Sequence, residues 1–281
     1  MTQILKGKPA ADELKEDLKE RIEALKEKSI EPKINVIRMG ENPDDISYEK
    51  GIVKNAEGLG IKVQLDQIPE DASTEDLLDL IQKGNDDDSI HGMIIFRPLP
   101  KQIDEEKIVN AIDPRKDVDC MNPINLARVF EGDMSGNVPA TPLAAIRLIK
   151  HYGVDLVGAN VVCINRSLVF GRPFTMMALN ENATPTICHS RTKNMEEITK
   201  NADVVVTAQG RAKSLGEEYF TEDSIIVDVG MSPDENGDLA GDADFDNLQD
   251  KVKMISPTFG GVGAMTSTIL LEQVVKSAEL V

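Results

Sequence analysis

"NVVCINRSLVFGRP", residues 160–173, decides the fold. Its first five residues are a short, mostly β-branched apolar run, as in a buried strand. A turn of small and polar residues follows, and Pro173 stands where the first turn of a helix would begin. A turn of this kind lets backbone approach a pyrophosphate, with a helix N-terminus contributing N–H groups and partial positive charge. Asn165, Ser167, Gly171 and Pro173 occupy the positions such a turn requires. The G-x-G-x-x-G pattern is absent, so the stretch taken alone also fits an ordinary strand-to-helix connection.

The surrounding chain repeats the unit. Further strands are expected at 183–189, 203–208, 224–230 and 252–258, which gives a Rossmann-like series. The strand after the turn runs into "CHSRT" (188–192), where NAD sites usually carry an acid for the ribose 2′-hydroxyl. No acid stands there. His189, Ser190 and Arg191, together with Arg166, offer hydrogen bonds and charge to a 2′-phosphate, so NADP is expected, with NAD as the alternative. A polar loop without a ligand remains open on this stretch alone.

The N-terminal half carries a second α/β series. Leu14, Leu18, Ile22 and Leu25 recur at helical spacing. Strands at 33–40, 61–68 and 91–100 then alternate with helices near 44–59, 74–84 and 104–112. The expected class is α/β in two domains, with a cleft between them. Residues 1–139 form a substrate-side α/β domain, joined by the last helix at 264–281, and residues 140–263 form the dinucleotide-binding domain.

Composition narrows the partners. Lys and Arg number 31 against 49 Asp and Glu, a net charge of −18 that argues against nucleic acid or an anionic membrane. The three cysteines, Cys120, Cys163 and Cys188, are far apart and form no C-x-x-C pair, so neither a disulfide framework nor a metal site is expected. No signal-peptide core or ~20-residue apolar span is present. A cytoplasmic location is the expectation.

Residues 47–61, "SYEKGIVKNAEGLGI", read as a helix closing on Gly60. Ile52 lies one turn after Tyr48 and on its face. Lys50 and Lys54 lie about 200° and about 240° around the helix from Tyr48.

Several separated stretches together resemble the methylenetetrahydrofolate dehydrogenase/cyclohydrolase family, the FolD type. They are "GENPDDISYEKGIVKNAEGLGI", "RPLPKQIDEEKIVNAIDPRKDVD", "NRSLVFGRP", "NATPTICHSRT", "ADVVVTAQG", "VDVG", "GDADF" and "GGVGAMT", in family order over nearly the whole chain. The resemblance implies a two-domain subunit, usually a homodimer, that takes tetrahydrofolate derivatives in the cleft and a nicotinamide cofactor on the C-terminal domain. It implies that Tyr48 packs near the folate and that Asp119 holds the pterin ring. Pro98, Leu99, Gly260, Gly261, Val262 and Gly263 would flank the substrate. Asn165, Arg166, Ser167, Gly171, Pro173, His189, Ser190, Arg191 and Gly210 would form the cofactor side. Read without the resemblance, Tyr48 fits a packed helix residue, Asp119 a turn acid and the glycines a helix entry. Cys120 reads as a space-filler, since no histidine pairs with it in sequence.

Two departures stand out. The family carries Y-x-x-x-K, with the lysine as the key cyclohydrolase group, and here that position is Ile52. The family's V-Q-L-P-L-P reads "IFRPLP", which puts Phe96 where a glutamine supports the lysine and makes Arg97 new. The paired loss is self-consistent, because a lysine beside phenylalanine would be costly to bury. The expectation is a dehydrogenase with weak or absent cyclohydrolase activity. The alternatives are a bifunctional enzyme and a folate- or nucleotide-binding protein without catalysis, the latter raised by Asn165 and Ala264 where the family usually has Gly and Pro. A two-domain amino-acid dehydrogenase ranks last, since the N-terminal motifs do not suit it.

Overall fold

The computed structural model describes residues 1–281 and resolves the chain into two compact units. One comprises residues 13–140 with 267–281, the other residues 1–12 with 141–266. In the first half of the chain the elements are β1 (Gln3–Ile4), α1 (Gly7–Glu27), β2 (Lys33–Met39), α2 (Pro43–Leu59), β3 (Lys62–Ile68), α3 (Thr74–Asp86), β4 (Gly92–Ile95), α4 (Glu105–Ala111) and α5 (Pro123–Glu131). There follow α6 (Ala140–His151), β5 (Asn160–Ile164), α7 (Gly171–Asn180), β6 (Thr184–Cys188), α8 (Met195–Lys200), β7 (Val204–Thr207) and β8 (Ile225–Asp228). The chain ends with β9 (Ser232–Pro233), β10 (Leu239–Ala240), α9 (Phe245–Leu248), β11 (Met254–Ile255) and α10 (Gly263–Ala278).

In the unit of residues 13–140 and 267–281, three parallel strands lie in the order β3-β2-β4. The expected strand at 91–100 stops at Ile95, because Pro98 and Pro100 cannot sustain a ladder. Residues 116–118 run beside β4 instead, with Met93 N–H donating to the Lys116 carbonyl at 2.6 Å and Val118 N–H to the Met93 carbonyl at 3.3 Å. This rudimentary strand delivers Asp119 to the carboxyl end of the sheet, where parallel α/β sheets present their ligand sites.

Local signals set α2. Asn42 caps it by accepting from Asp44 N–H at 2.9 Å, Pro43 opens it, and Gly60 closes it at φ 81°. Its rotation is fixed by a buried ion pair, Glu49 Oε2 with Arg38 Nε of β2 at 2.9 Å, both side chains under a tenth exposed. Arg38 also donates to the Gly40 carbonyl. An Arg inside an apolar parallel strand demands such a partner, and the charge within "KINVIRM" is its trace in the sequence.

The other unit holds a six-stranded sheet in the order β1-β11-β8-β7-β5-β6, parallel at every pairing. The expected change of unit near residue 139 agrees with the observed one at 140 to within a residue, but the expected placement of residues 1–12 needs a correction. Gln3 and Ile4 add an edge strand to β11, so residues 1–12 belong with the dinucleotide-type sheet rather than the N-terminal domain. A two-residue strand whose partner lies about 250 positions away leaves no periodic trace. The core of this unit gathers Val162, Ile164, Val205, Ile226 and Ile255. No helix in the chain is long and apolar enough to cross a membrane.

Candidate active site

At the carboxyl end of the three-stranded sheet, the Tyr48 ring lies 5.3 Å from the Phe96 ring, tilted by 37°. Tyr48 keeps 44% of its surface exposed. Crowding by protein atoms, and then the charge of Asp119, push its phenol up to about 12, so it stays a neutral donor. Asp119 Oδ2 accepts from Arg97 Nη2 at 3.3 Å, and Arg97 Nη1 also lies 3.8 Å from Glu105 Oε1. Arg97 therefore faces the site. Burial pushes the Asp119 carboxyl up to about 6, Arg97 counteracts that rise, and Asp117 adds to it.

Asp117 is fully buried and serves as an anchor. Its carboxylate accepts from Met121 N–H at 3.0 Å, Asn122 N–H at 2.8 Å and Asn125 Nδ2 at 3.0 Å. These bonds hold the loop that leaves Asp119, in which Cys120 adopts φ 56°. Cys120 is buried, and burial drives its thiol well above the usual range, as suits a packing residue rather than a nucleophile.

Ile52 and Phe96 are 1% and 7% exposed and share one hydrophobic cluster with Val36, Ile94, Val118 and Leu271. Both positions expected to mark catalysis thus carry core side chains. Lys50 and Lys54 are exposed on other faces of an unbroken helix. Pro98 is exposed and Leu99 half-buried at the rim of the neighbouring cluster.

In the other unit, Asn165 organises the turn after β5. Its Oδ1 accepts from Ser167 N–H at 2.7 Å and Gly171 N–H at 3.1 Å, while its amide donates to the Ala208 carbonyl at the end of β7. The asparagine braces the turn alongside Ser167, whose Oγ accepts from Phe170 N–H at 3.1 Å and whose carbonyl accepts from Arg172 N–H at 3.0 Å. Asn165→Ala removes all three bonds, and cofactor affinity is expected to fall about tenfold, one net hydrogen-bond's worth at this position. Titration of the variant with NADP, beside a circular-dichroism check of folding, measures it.

The expected contacts divide here. Gly171 and Pro173 are buried and shape the turn rather than face a ligand. The Gly171 and Arg172 N–H groups, expected to be free at the start of α7, are taken by Asn165 Oδ1 and the Ser167 carbonyl. The exposed crest, Arg166 to Val169, is what a phosphate would meet. His189, Ser190 and Arg191 form a tight turn in which Arg191 N–H donates to His189 Nδ1 at 3.1 Å and Thr192 Oγ1 accepts from His189 N–H at 2.9 Å. Ser190 and Arg191 stay exposed, as a 2′-phosphate site requires. Gly210 adopts φ 67°. The residues flanking it, Gln209 and Arg211, are pinned by their N–H groups to the buried Asp242.

That aspartate belongs to "GDADF", and Asp228 of "VDVG" is its buried counterpart, accepting from Gly230 N–H and Ala243 N–H at 2.8 Å each. Burial pushes Asp228 up to about 7, with the Asp242 charge adding to the rise. Neither carboxylate stands out by residue type or spacing; their burial and their backbone partners give both stretches a structural role.

Gly260 to Gly263 fall in this second unit, whereas Asp119 belongs to the first. Gly260 has φ 77° and its carbonyl accepts from Gly7 N–H at 2.7 Å. Val262, expected at the substrate, is 1% exposed, so its side chain is core and only its backbone is available.

Comparison with known proteins gives two family-model matches. Residues 5–119 match the tetrahydrofolate dehydrogenase/cyclohydrolase catalytic domain, and residues 139–281 match the NAD(P)-binding domain of the same family. The bifunctional protein FolD of Clostridium botulinum (strain Langeland) is 51% identical over 279 residues, 99% of each chain. The crystal structure of the bifunctional FolD methylenetetrahydrofolate dehydrogenase/cyclohydrolase from Campylobacter jejuni superposes with a TM-score of 0.96 at 40% identity, covering 100% of this chain and 99% of that one. The Trypanosoma brucei enzyme, solved with NADP cofactor and an inhibitor, gives 0.93 at 27% identity, covering 99% and 98%. With both domains matched and half the residues identical across the full length of a relative, the chain belongs to the tetrahydrofolate dehydrogenase/cyclohydrolase family.

Proposed function

We propose that this protein is an NADP-dependent 5,10-methylenetetrahydrofolate dehydrogenase whose cyclohydrolase activity is weak or absent. Bound NADP would supply the acceptor for the hydride that leaves the methylene carbon, giving 5,10-methenyl-tetrahydrofolate. Asp119 accepts N–H bonds from the pterin edge, Tyr48 packs on the folate, and Arg166, Ser167, Ser190 and Arg191 hold the cofactor phosphates. The folate nitrogens stabilise the cation that forms, so the protein's contribution is proximity and orientation. Hydrolysis of the product needs water activation and proton transfer, work suited to a tuned lysine.

The observation that carries the reading is Ile52, buried in the same apolar cluster as Phe96 on a helix whose rotation the Arg38–Glu49 pair fixes. No local slip brings Lys50 or Lys54 to that face. The bifunctional alternative draws its support from relatives such as the 51% identical Clostridium protein, whose name carries both activities.

The test mixes purified protein with 5,10-methylene-tetrahydrofolate and either NADP or NAD, following reduced cofactor and methenyl absorbance separately. The reading requires the two signals to rise one for one once the no-enzyme rate of methenyl loss is subtracted, and faster with NADP. Reduced cofactor with no methenyl build-up would refute the loss of hydrolysis, and no reduction with either cofactor would refute the dehydrogenase. Reinstalling both polar partners, Ile52→Lys with Phe96→Gln, is expected to raise methenyl hydrolysis about 100-fold, the lower end of what positioned proton transfer contributes. The rate of methenyl loss over the buffer rate is the readout.

A further inference from the structure

Asp119 sits where its charge is disfavoured. About two-thirds of its side chain is enclosed, and Asp117, a second carboxylate, stands two residues away. The Tyr48 phenol and the Cys120 thiol also face it and bring no positive charge. Arg97 supplies that charge, from a loop position to which residue type alone assigns no role. Its guanidinium reaches Asp119 Oδ2 at 3.3 Å with one terminal nitrogen and approaches Glu105, in the first turn of α4, at 3.8 Å with the other. Two carboxylates on either side hold the planar group in place.

We propose that Arg97 is a positioning residue of the folate site, keeping Asp119 ionised as an acceptor for ligand N–H groups without itself touching the ligand. The inference rests on the reading of Asp119 as the pterin-holding carboxylate. An ionised carboxylate offers about four acceptor positions. Arg97 occupies one of them on Oδ2, which leaves room for a paired N–H edge. The residue thereby widens the range of pH over which the site accepts folate toward the acid side. Because both side chains retain about a third of their exposure, at 27% and 31%, water screens the pair and the effect is moderate.

The experiment measures binding of 5-formyl-tetrahydrofolate, a folate that cannot donate the hydride, to wild type, Arg97→Leu, Arg97→Lys and Asp119→Asn by calorimetry at pH 6 and pH 8. In parallel, carbon-13 NMR of labelled aspartate follows the titration of Asp119, assigned by its loss in Asp119→Asn. Arg97→Leu is expected to bind about fivefold more weakly than wild type at pH 6, with the gap closing toward pH 8, as a rise of about one unit in the acid's midpoint requires. Arg97→Lys should recover most of the affinity at pH 6. An equal loss at both pH values would mean that Arg97 contacts the ligand directly and would overturn the proposal. So would an unmoved Asp119 titration in Arg97→Leu, whatever the ligand data. If the titration moves but Asp119→Asn binds folate like wild type, the folate reading itself fails and the inference falls with it.

Discussion

Asp119→Asn is expected to lower kcat/KM for 5,10-methylene-tetrahydrofolate by about 10²–10⁴, chiefly through KM. In the proposed reading the carboxylate presents two like acceptors to a pair of ligand N–H groups. Asparagine keeps one and turns the other into a donor that faces a donor. Losing one charge-assisted bond, at ~1.5–3 kcal/mol, and leaving one ligand N–H unpaired, at ~1–3 kcal/mol, together span that range. The volume is conserved, and the loop is held by Asp117 rather than Asp119, so the fold is expected to survive. Steady-state rates at subsaturating folate, with NADP saturating, measure the change. Parameters within about twofold of wild type would remove Asp119 from the site.

Gly171→Ala is expected to cost NADP affinity about 10- to 100-fold in a protein that still folds, as the loss of one charge-assisted phosphate bond at ~1.5–3 kcal/mol requires. A Cβ at Gly171 would stand 2.1 Å from the Asn165 carbonyl oxygen, 2.4 Å from its carbon and 2.8 Å from the Arg166 nitrogen. All three are backbone atoms, so no rotamer change relieves the overlap, and the β5–α7 turn itself must move. The move breaks the Gly171 N–H bond to Asn165 and shifts the crest that carries Arg166 and Ser167. Overpacking of this kind also costs ~1–3 kcal/mol of stability. Titration with NADP and a thermal melt separate the two effects, and wild-type affinity would contradict the role assigned to the turn.

Much of the architecture is legible in residue type and spacing because local chemistry and global fold agree. The Gly60 stop of α2, and the apolar runs of β2, β5, β7 and β8, are read directly from them. What escapes is set by partners far away in the chain. β1 exists only because β11 offers it an edge, and α5 is short enough that Asn122 and Gly132, its start and stop, frame only nine residues. The β9–β10 hairpin likewise turns on a polar loop without an apolar pattern.

The site divides the same way. Tyr48, Asp119 and the 189–191 turn are singled out as candidates by motif and chemistry. Arg97, Arg38 and the Asp228 and Asp242 carboxylates are charged residues whose meaning depends on burial, which a single sequence does not display. Asn165 is the instructive case. As a departure from a glycine it looks like damage, yet three hydrogen bonds make it the brace of the turn. Ile52 is its converse, an ordinary apolar residue whose proposed significance rests on the lysine that the family resemblance implies at that position.

The most direct test of the central claim supplies 5,10-methenyl-tetrahydrofolate itself, without cofactor, and follows its disappearance in the presence and absence of protein. A rate indistinguishable from buffer, in a preparation that reduces NADP with the methylene substrate, is the result predicted by a site whose lysine position is buried Ile52. Loss of the methenyl signal at a rate proportional to enzyme concentration would show that another group performs the hydrolysis and would contradict the account.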